Sequence, residues 1–124
     1  MGSPTRTSRT AVAARTESDR LCTVTVAPDP LGKHALRYEG SENTAALLTP
    51  EVVELLVVAL SVRGRSTIPA RCPSGGACTL VVIGHENGRT SLYFHGSTAT
   101  SAVLDAKGTA KLRTALESLS GTGH

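Results

Sequence analysis

Aromatic residues are scarce in this chain. Among 124 residues there is no tryptophan, and Tyr38, Tyr93 and Phe94 are the whole aromatic set. A core must therefore be assembled from Val, Leu and Ala, and single-strand nucleic-acid binding by base stacking has few platforms to use. No run of 18 apolar residues occurs, so no segment reads as a membrane-spanning helix. Three cysteines, an odd number, do not make a secreted disulfide framework. The N-terminal segment lacks the apolar centre of a secretory signal. Its Arg, Ser, Thr and Ala bias has the look of an organelle transit peptide, but Glu17, Asp19 and the Arg- and Ala-rich style throughout fit a high-GC bacterial cytosol better. A cytoplasmic bacterial protein is expected.

Catalytic signatures are missing as well. There is no paired-carboxylate pattern, no phosphate-cradling glycine loop and no dinucleotide fingerprint. No serine or cysteine has a motif neighbour that would activate it as a nucleophile. The chain reads as a non-enzyme that needs no cofactor.

What is present is a repeat. Shifted by 56 residues and without a gap, Cys22–Leu60 lies over Cys78–Leu116, and thirteen of the 39 aligned pairs are identical. Gly32/Gly88, Leu36/Leu92, Gly40/Gly96, Leu48/Leu104 and Leu56/Leu112 are among them. Identities at turn glycines and apolar positions together point to one structural unit used twice. Within each copy the pattern predicts three strands and a helix. The first copy has strands at Cys22–Val26, His34–Glu39 and Thr44–Leu48, then a helix to about Val62. Thr49 caps that helix, Pro50 suits its first position and Glu51 suits its positive dipole end. The second copy has strands at Cys78–Ile83, Thr90–His95 and Thr100–Leu104, with Asn87-Gly88 as a tight hairpin turn and Asp105 capping a helix that ends near Leu119. The expected fold is α+β: a duplicated βββα-βββα unit, an antiparallel sheet and two helices related by a pseudo-twofold axis.

The domain plan that follows has four parts. Residues 1–20 form a basic arm expected to be disordered, since alternating small, polar and basic residues bury too little to offset ordering entropy. A single domain covers 21–120, with repeat one at 22–60, a linker at 61–77 and repeat two at 78–117. Seventeen residues is long for a structureless connection, so the linker either hides a strand near Ser66–Ala70 or is a functional loop. Tandem sheet-plus-helix units resemble the whirly and Pur-alpha type of nucleic-acid binder and, more loosely, half of a sliding-clamp subunit. No sequence motif of those families stands here, and the first helix carries Glu51 and Glu54 where a clamp's channel helix is basic.

Charge and grease suggest two kinds of partner. The formal charge is +3, and no acidic residue lies between Leu55 and His85. Arg63, Arg65 and Arg71 in the linker, Arg89 at the hairpin, and Lys107, Lys111 and Arg113 on the second helix are candidates for contact with DNA or RNA phosphates. A solvated basic face accounts for the same residues. The first helix is apolar on nearly every side, Val57 and Val58 included, and the outer sheet face of repeat two carries Val81, Ile83 and Tyr93. These five residues are candidates for a homodimer or protein-partner interface. Cys72 and Cys78 flank Pro-Ser-Gly-Gly-Ala. A metal site there needs help from His34, His85 or His95 and has a five-residue spacer where two to four is usual. The other readings are a Cys72–Cys78 disulfide, or Cys22 and Cys78 as small core residues at strand starts.

The leading expectation is a small regulatory module that self-associates and contacts nucleic-acid backbone through arginines. Its competitor is a protein-interaction adaptor with no nucleic-acid binding.

Overall fold

Period-two alternation in the sequence becomes eight strands in the computed structural model, which describes residues 10–28, 33–40, 44–73, 75–96 and 99–121. In chain order they are β1 (Thr10–Arg15), β2 (Leu21–Pro28), β3 (His34–Glu39), β4 (Thr44–Leu47), α1 (Pro50–Ser61), β5 (Gly64–Arg71), β6 (Ala77–Gly84), β7 (Thr90–His95), β8 (Ala99–Leu104) and α2 (Ala106–Gly121). All pairings are antiparallel, in the order β4-β3-β2-β1-β8-β7-β6-β5. The end strands β4 and β5 lie against each other without pairing, so the sheet is nearly closed.

Two expectations change. The basic arm was expected to lack order through residue 20, yet Thr10–Arg15 is a strand paired along its whole length with β2. Val12 and Ala14 explain why: both are buried, and they alternate with exposed Ala11, Ala13 and Arg15. The order is thus set by period-two burial, which the small side chains of this segment disguise. Residues 1–9 lie outside the described residues, as do the expected turn positions at 29–32, 41–43 and 97–98. The linker contains a strand, β5, longer than the stretch suggested by sequence. Each helix is therefore preceded by four strands, where the sequence pattern gave three and left a further one open in the linker.

Strand pairing recurs at a fixed offset. Val24↔Tyr38 in β2/β3 matches Leu80↔Phe94 in β6/β7, and Leu36↔Ala46 in β3/β4 matches Leu92↔Ala102 in β7/β8. Val12↔Val24 in β1/β2 matches Ile68↔Leu80 in β5/β6. Each number rises by 56. The helix caps follow suit: the amide of Val52 donates to Thr49 Oγ1 at 3.2 Å, and that of Gly108 donates to Asp105 Oδ1 at 2.6 Å. So do the hairpin tips. Asp19 N donates to Thr16 O, and Gly75 N donates to Cys72 O, with positive φ at both Asp19 and Gly75.

One sheet face and the two helices enclose the core. Val12, Val24, Leu36, Tyr38, Ile68, Leu80, Val82, Leu92, Phe94 and Leu104 are buried on that face, and Leu56, Leu60, Leu112 and Leu116 meet them from the helices. α1 packs on β5 and β6, α2 on β1, β2 and β8, and the helices pack on each other. With so few aromatics, aliphatic interdigitation supplies nearly all of the packing, and Tyr38 and Phe94 meet at its centre with ring centroids 6.0 Å apart.

Candidate functional site

The basic residues are sorted by how α1 ends. Val62 leaves the helix in an extended conformation, and its carbonyl oxygen presses on Gly84 so closely that a β-carbon there would collide with it. Gly64 follows with φ +102° and turns the chain into β5. Arg63, caught between these two constraints, is held beside the β6–β7 hairpin. That hairpin is the predicted Asn87-Gly88 turn. Gly88 has φ +85°, His85 N donates to Arg89 O at 2.9 Å, and Asn87 Oδ1 accepts from Arg89 N at 3.3 Å. On the third side stands the first half of α2, anchored by a buried hydrogen bond of 3.1 Å from Thr109 Oγ1 to Thr90 Oγ1.

Between these three elements runs a groove whose lining includes Arg63, Arg89, Arg113, His85 and Glu86. Three arginines thus line one depression in which Glu86 is the single acidic residue. Among the described residues none of the three arginines has a carboxylate within salt-bridge distance. Guanidinium groups left without carboxylates are planar forks suited to phosphate oxygens. His85 is tied to Ser91, Nε2 to Oγ, at 2.9 Å.

The other cations lie elsewhere. Arg65 is on the outer sheet face, where its charge acts on the Tyr93 hydroxyl. Arg71 is at the far end of the same strand, about 20 Å away at roughly 3.3 Å per residue, and donates to Gly75 O at 3.2 Å. Lys107 and Lys111 are exposed on α2, with Lys111 beside a separate depression that Thr10 and Val26 share. Of the seven basic candidates, then, Arg63, Arg89 and Arg113 come together.

The apolar candidates are also redistributed. Val81 is buried, Ile83 and Tyr93 are half-buried, and Val57 packs against the core. Tyr93 is engaged twice: its hydroxyl donates to Glu17 Oε2 at 2.8 Å, and its ring stacks on His95 at 6.2 Å. Glu17 comes from the β1–β2 tip, so this contact bridges the β1–β8 seam, where only Arg15↔Val103 is in register. Val58, in contrast, is 60% exposed, and Leu55 (49%) and Val62 (48%) stand with it. Spacings of three and four place these three on one stripe of the helix end. Sequence reasoning missed Leu55, Val62 and Gly84. The i, i+3, i+7 spacing was a usable signal for the first two, whereas the close approach at Gly84 leaves none.

The thiols are unpaired, Cys22 and Cys78 buried and Cys72 partly so. Burial pushes the Cys22 thiol up, with a hydrogen bond from Tyr38 working against it. Burial first, then the hydrogen bond with Cys72, pushes Cys78 up to about 11. Among the described residues no three His, Cys, Asp or Glu side chains gather as a metal site, and no helix is long and apolar enough to cross a membrane. No family model, curated protein or solved structure matches this chain.

Proposed function

We propose that the chain is a small non-catalytic regulatory module that grips nucleic-acid backbone in the groove of Arg63, Arg89 and Arg113. The observation that carries this reading is the convergence of three arginines, each without a carboxylate partner among the described residues, from α1's end, the β6–β7 hairpin and α2. Convergence from separate elements is what an anion site needs, because one fixed phosphate can then be met by several forks. Phosphate contacts set affinity and position without reading bases, so binding is sequence-tolerant and salt-sensitive. We further propose that the domain is a duplicated ββββα unit with a pseudo-twofold axis. Pairing register, caps and hairpin tips that all recur at an offset of 56 support this.

A second reading rests on a different surface. The stripe of Leu55, Val58 and Val62 exposes about half of each side chain, and such a stripe suits a second copy or a protein partner. An adaptor that uses it has no need of nucleic acid.

The two readings separate in a mobility-shift assay on duplex DNA and on RNA, run at low and near-physiological salt. The nucleic-acid reading expects a shift at low salt that weakens at the higher salt and is lost when Arg63, Arg89 and Arg113 are all replaced by alanine, with circular dichroism unchanged. No shift at low salt overturns it in favour of the adaptor.

A further inference from the structure

At the opposite end of β5 from the arginine groove, Cys72 and Cys78 share one hairpin. Ala70 pairs with Cys78 across β5 and β6, and Cys72 N donates to Gly76 O at 2.7 Å, which continues the same register by one more pair. Cys72 is therefore the diagonal neighbour of Cys78 on the same, core-facing side of the sheet. Both flank Gly96. A β-carbon at that glycine would stand 3.4 Å from Cys78 Cβ and 3.7 Å from Cys72 Sγ, and glycine's lack of a side chain leaves the two cysteines room to meet. The Cys72 thiol lies close enough to act on Cys78, adding to the effect of burial in raising its pKa. Cys72 is partly exposed, at a turn with Gly75 at φ +103°, whereas Cys78 is buried. The corresponding tip between β1 and β2 has Thr16 in the place of Cys72, so the pair belongs to this hairpin alone.

We propose that Cys72 and Cys78 are a reversible dithiol–disulfide pair, with Cys72 as the entry thiol and Cys78 as the resolving thiol, oxidised by a small disulfide such as oxidised glutathione. Cys72 thiolate attacks one sulfur of the small disulfide, which breaks its S–S bond, forms a mixed disulfide and releases one small thiol. Cys78 thiolate then attacks Cys72 Sγ, which forms the protein disulfide and releases the second small thiol. The protein loses two electrons and two protons, and the small disulfide gains both. The division of roles follows from access and acidity: Cys72 reaches solvent, while burial keeps Cys78 protonated at neutral pH. The second step therefore quickens as pH rises. Diagonal neighbours stand farther apart than a disulfide tolerates, so closure draws the tip of the hairpin inward. Gly75 and Gly76, between the two cysteines, have open space beside them and no side chain to oppose this movement.

The test is intact-mass measurement and peptide mapping of the native protein after exposure to oxidised glutathione, with thiols trapped at intervals. The expected result is a transient glutathione adduct on Cys72, then a species lighter by two hydrogens with Cys72 and Cys78 in one linked peptide and Cys22 still reduced. Cys78→Ser should stop at the Cys72 adduct, and Cys72→Ser should give no intramolecular disulfide while folded. Because the peptide map is made on the unaltered chain, a variant that fails to fold does not decide the outcome. The proposal is overturned if the unaltered chain stops at the mixed disulfide, links Cys22 in place of either cysteine, or forms only intermolecular disulfides.

Discussion

Thr100 Oγ1 donates a 3.4 Å hydrogen bond to Thr44 Oγ1, its counterpart 56 positions earlier. A residue that touches its own counterpart stands beside the axis that relates the two. Tyr38 and Phe94 stand in the same relation, with their rings in contact inside the core. Two self-contacts, one polar and one aromatic, locate the proposed twofold between the last two strands of each half. At other positions related by the offset of 56 the two halves carry different residues.

One such difference predicts a stabilising change. Thr25 is completely buried, and its Oγ1 has no hydrogen-bond partner among the described residues. The corresponding residue in the other half is Val81, buried to nearly the same degree. A buried hydroxyl without a partner carries its desolvation cost unrelieved, typically about 1–3 kcal/mol. Thr25→Val should therefore raise unfolding stability by about 1 kcal/mol in urea titration, and Val81→Thr should lower it by a similar or larger amount. A Thr25→Val protein that is less stable than the original would contradict this.

Tyr93 gives a pH prediction. Its hydroxyl donates to Glu17, and ionising it would break that bond and set two anions together, so its pKa is raised above 10.0, with burial adding to the effect. Ser91 and Arg65 pull weakly the other way. A raised pKa means that the stabilising contact is fully present below the unfolded value and is lost as pH rises through the folded one. Glu17→Ala removes the largest cause, the hydrogen bond, together with the charge. NMR titration of the Tyr93 ring should show a lower midpoint in that variant, and an unchanged midpoint would rule out the Glu17 contact as the source.

How much of this was legible in the sequence depends on where burial leaves a pattern. Strands at 34–39 and 90–95 stand as read, because Leu36 and Tyr38 in one, and Leu92 and Phe94 in the other, recur at period two on the core face. The caps at Thr49 and Asp105 stand too, since capping chemistry is local. β1 was missed because Val12 and Ala14 alternate with other small residues and show little contrast. Even so, Ala14-Arg15 and Ala70-Arg71 already match at the repeat's own spacing. The arginine groove was only partly legible. Its members were named, but Arg65 and Arg71 were grouped with Arg63 because the linker was open to being read as a loop. Extended as β5, that segment sends Arg71 to the far end of the strand.

Gly84 links fold to groove. Any side chain there meets the carbonyl of Val62, so Gly84→Ala must displace the chain that carries Arg63. Overpacking of this kind costs about 1–3 kcal/mol. Chemical unfolding should show that loss, and nucleic-acid affinity at low salt should fall with it. An alanine variant of normal stability and affinity would mean that the approach of Val62 is not needed.

The salt dependence of binding tests the central claim most directly. Three phosphate contacts, at about 0.9 released counterions each, give a slope of roughly −2.7 in log affinity against log salt for one protomer on duplex DNA, and about twice that for a dimer engaging both grooves. Fluorescence anisotropy across a salt series should give a slope in that range for the unaltered chain, and the slope should fall close to zero when Arg63, Arg89 and Arg113 are replaced by alanine. Replacing Arg71 alone should leave it nearly unchanged. A triple variant that keeps the full slope, or an unaltered chain with no measurable affinity at low salt, would contradict the arginine groove as the site.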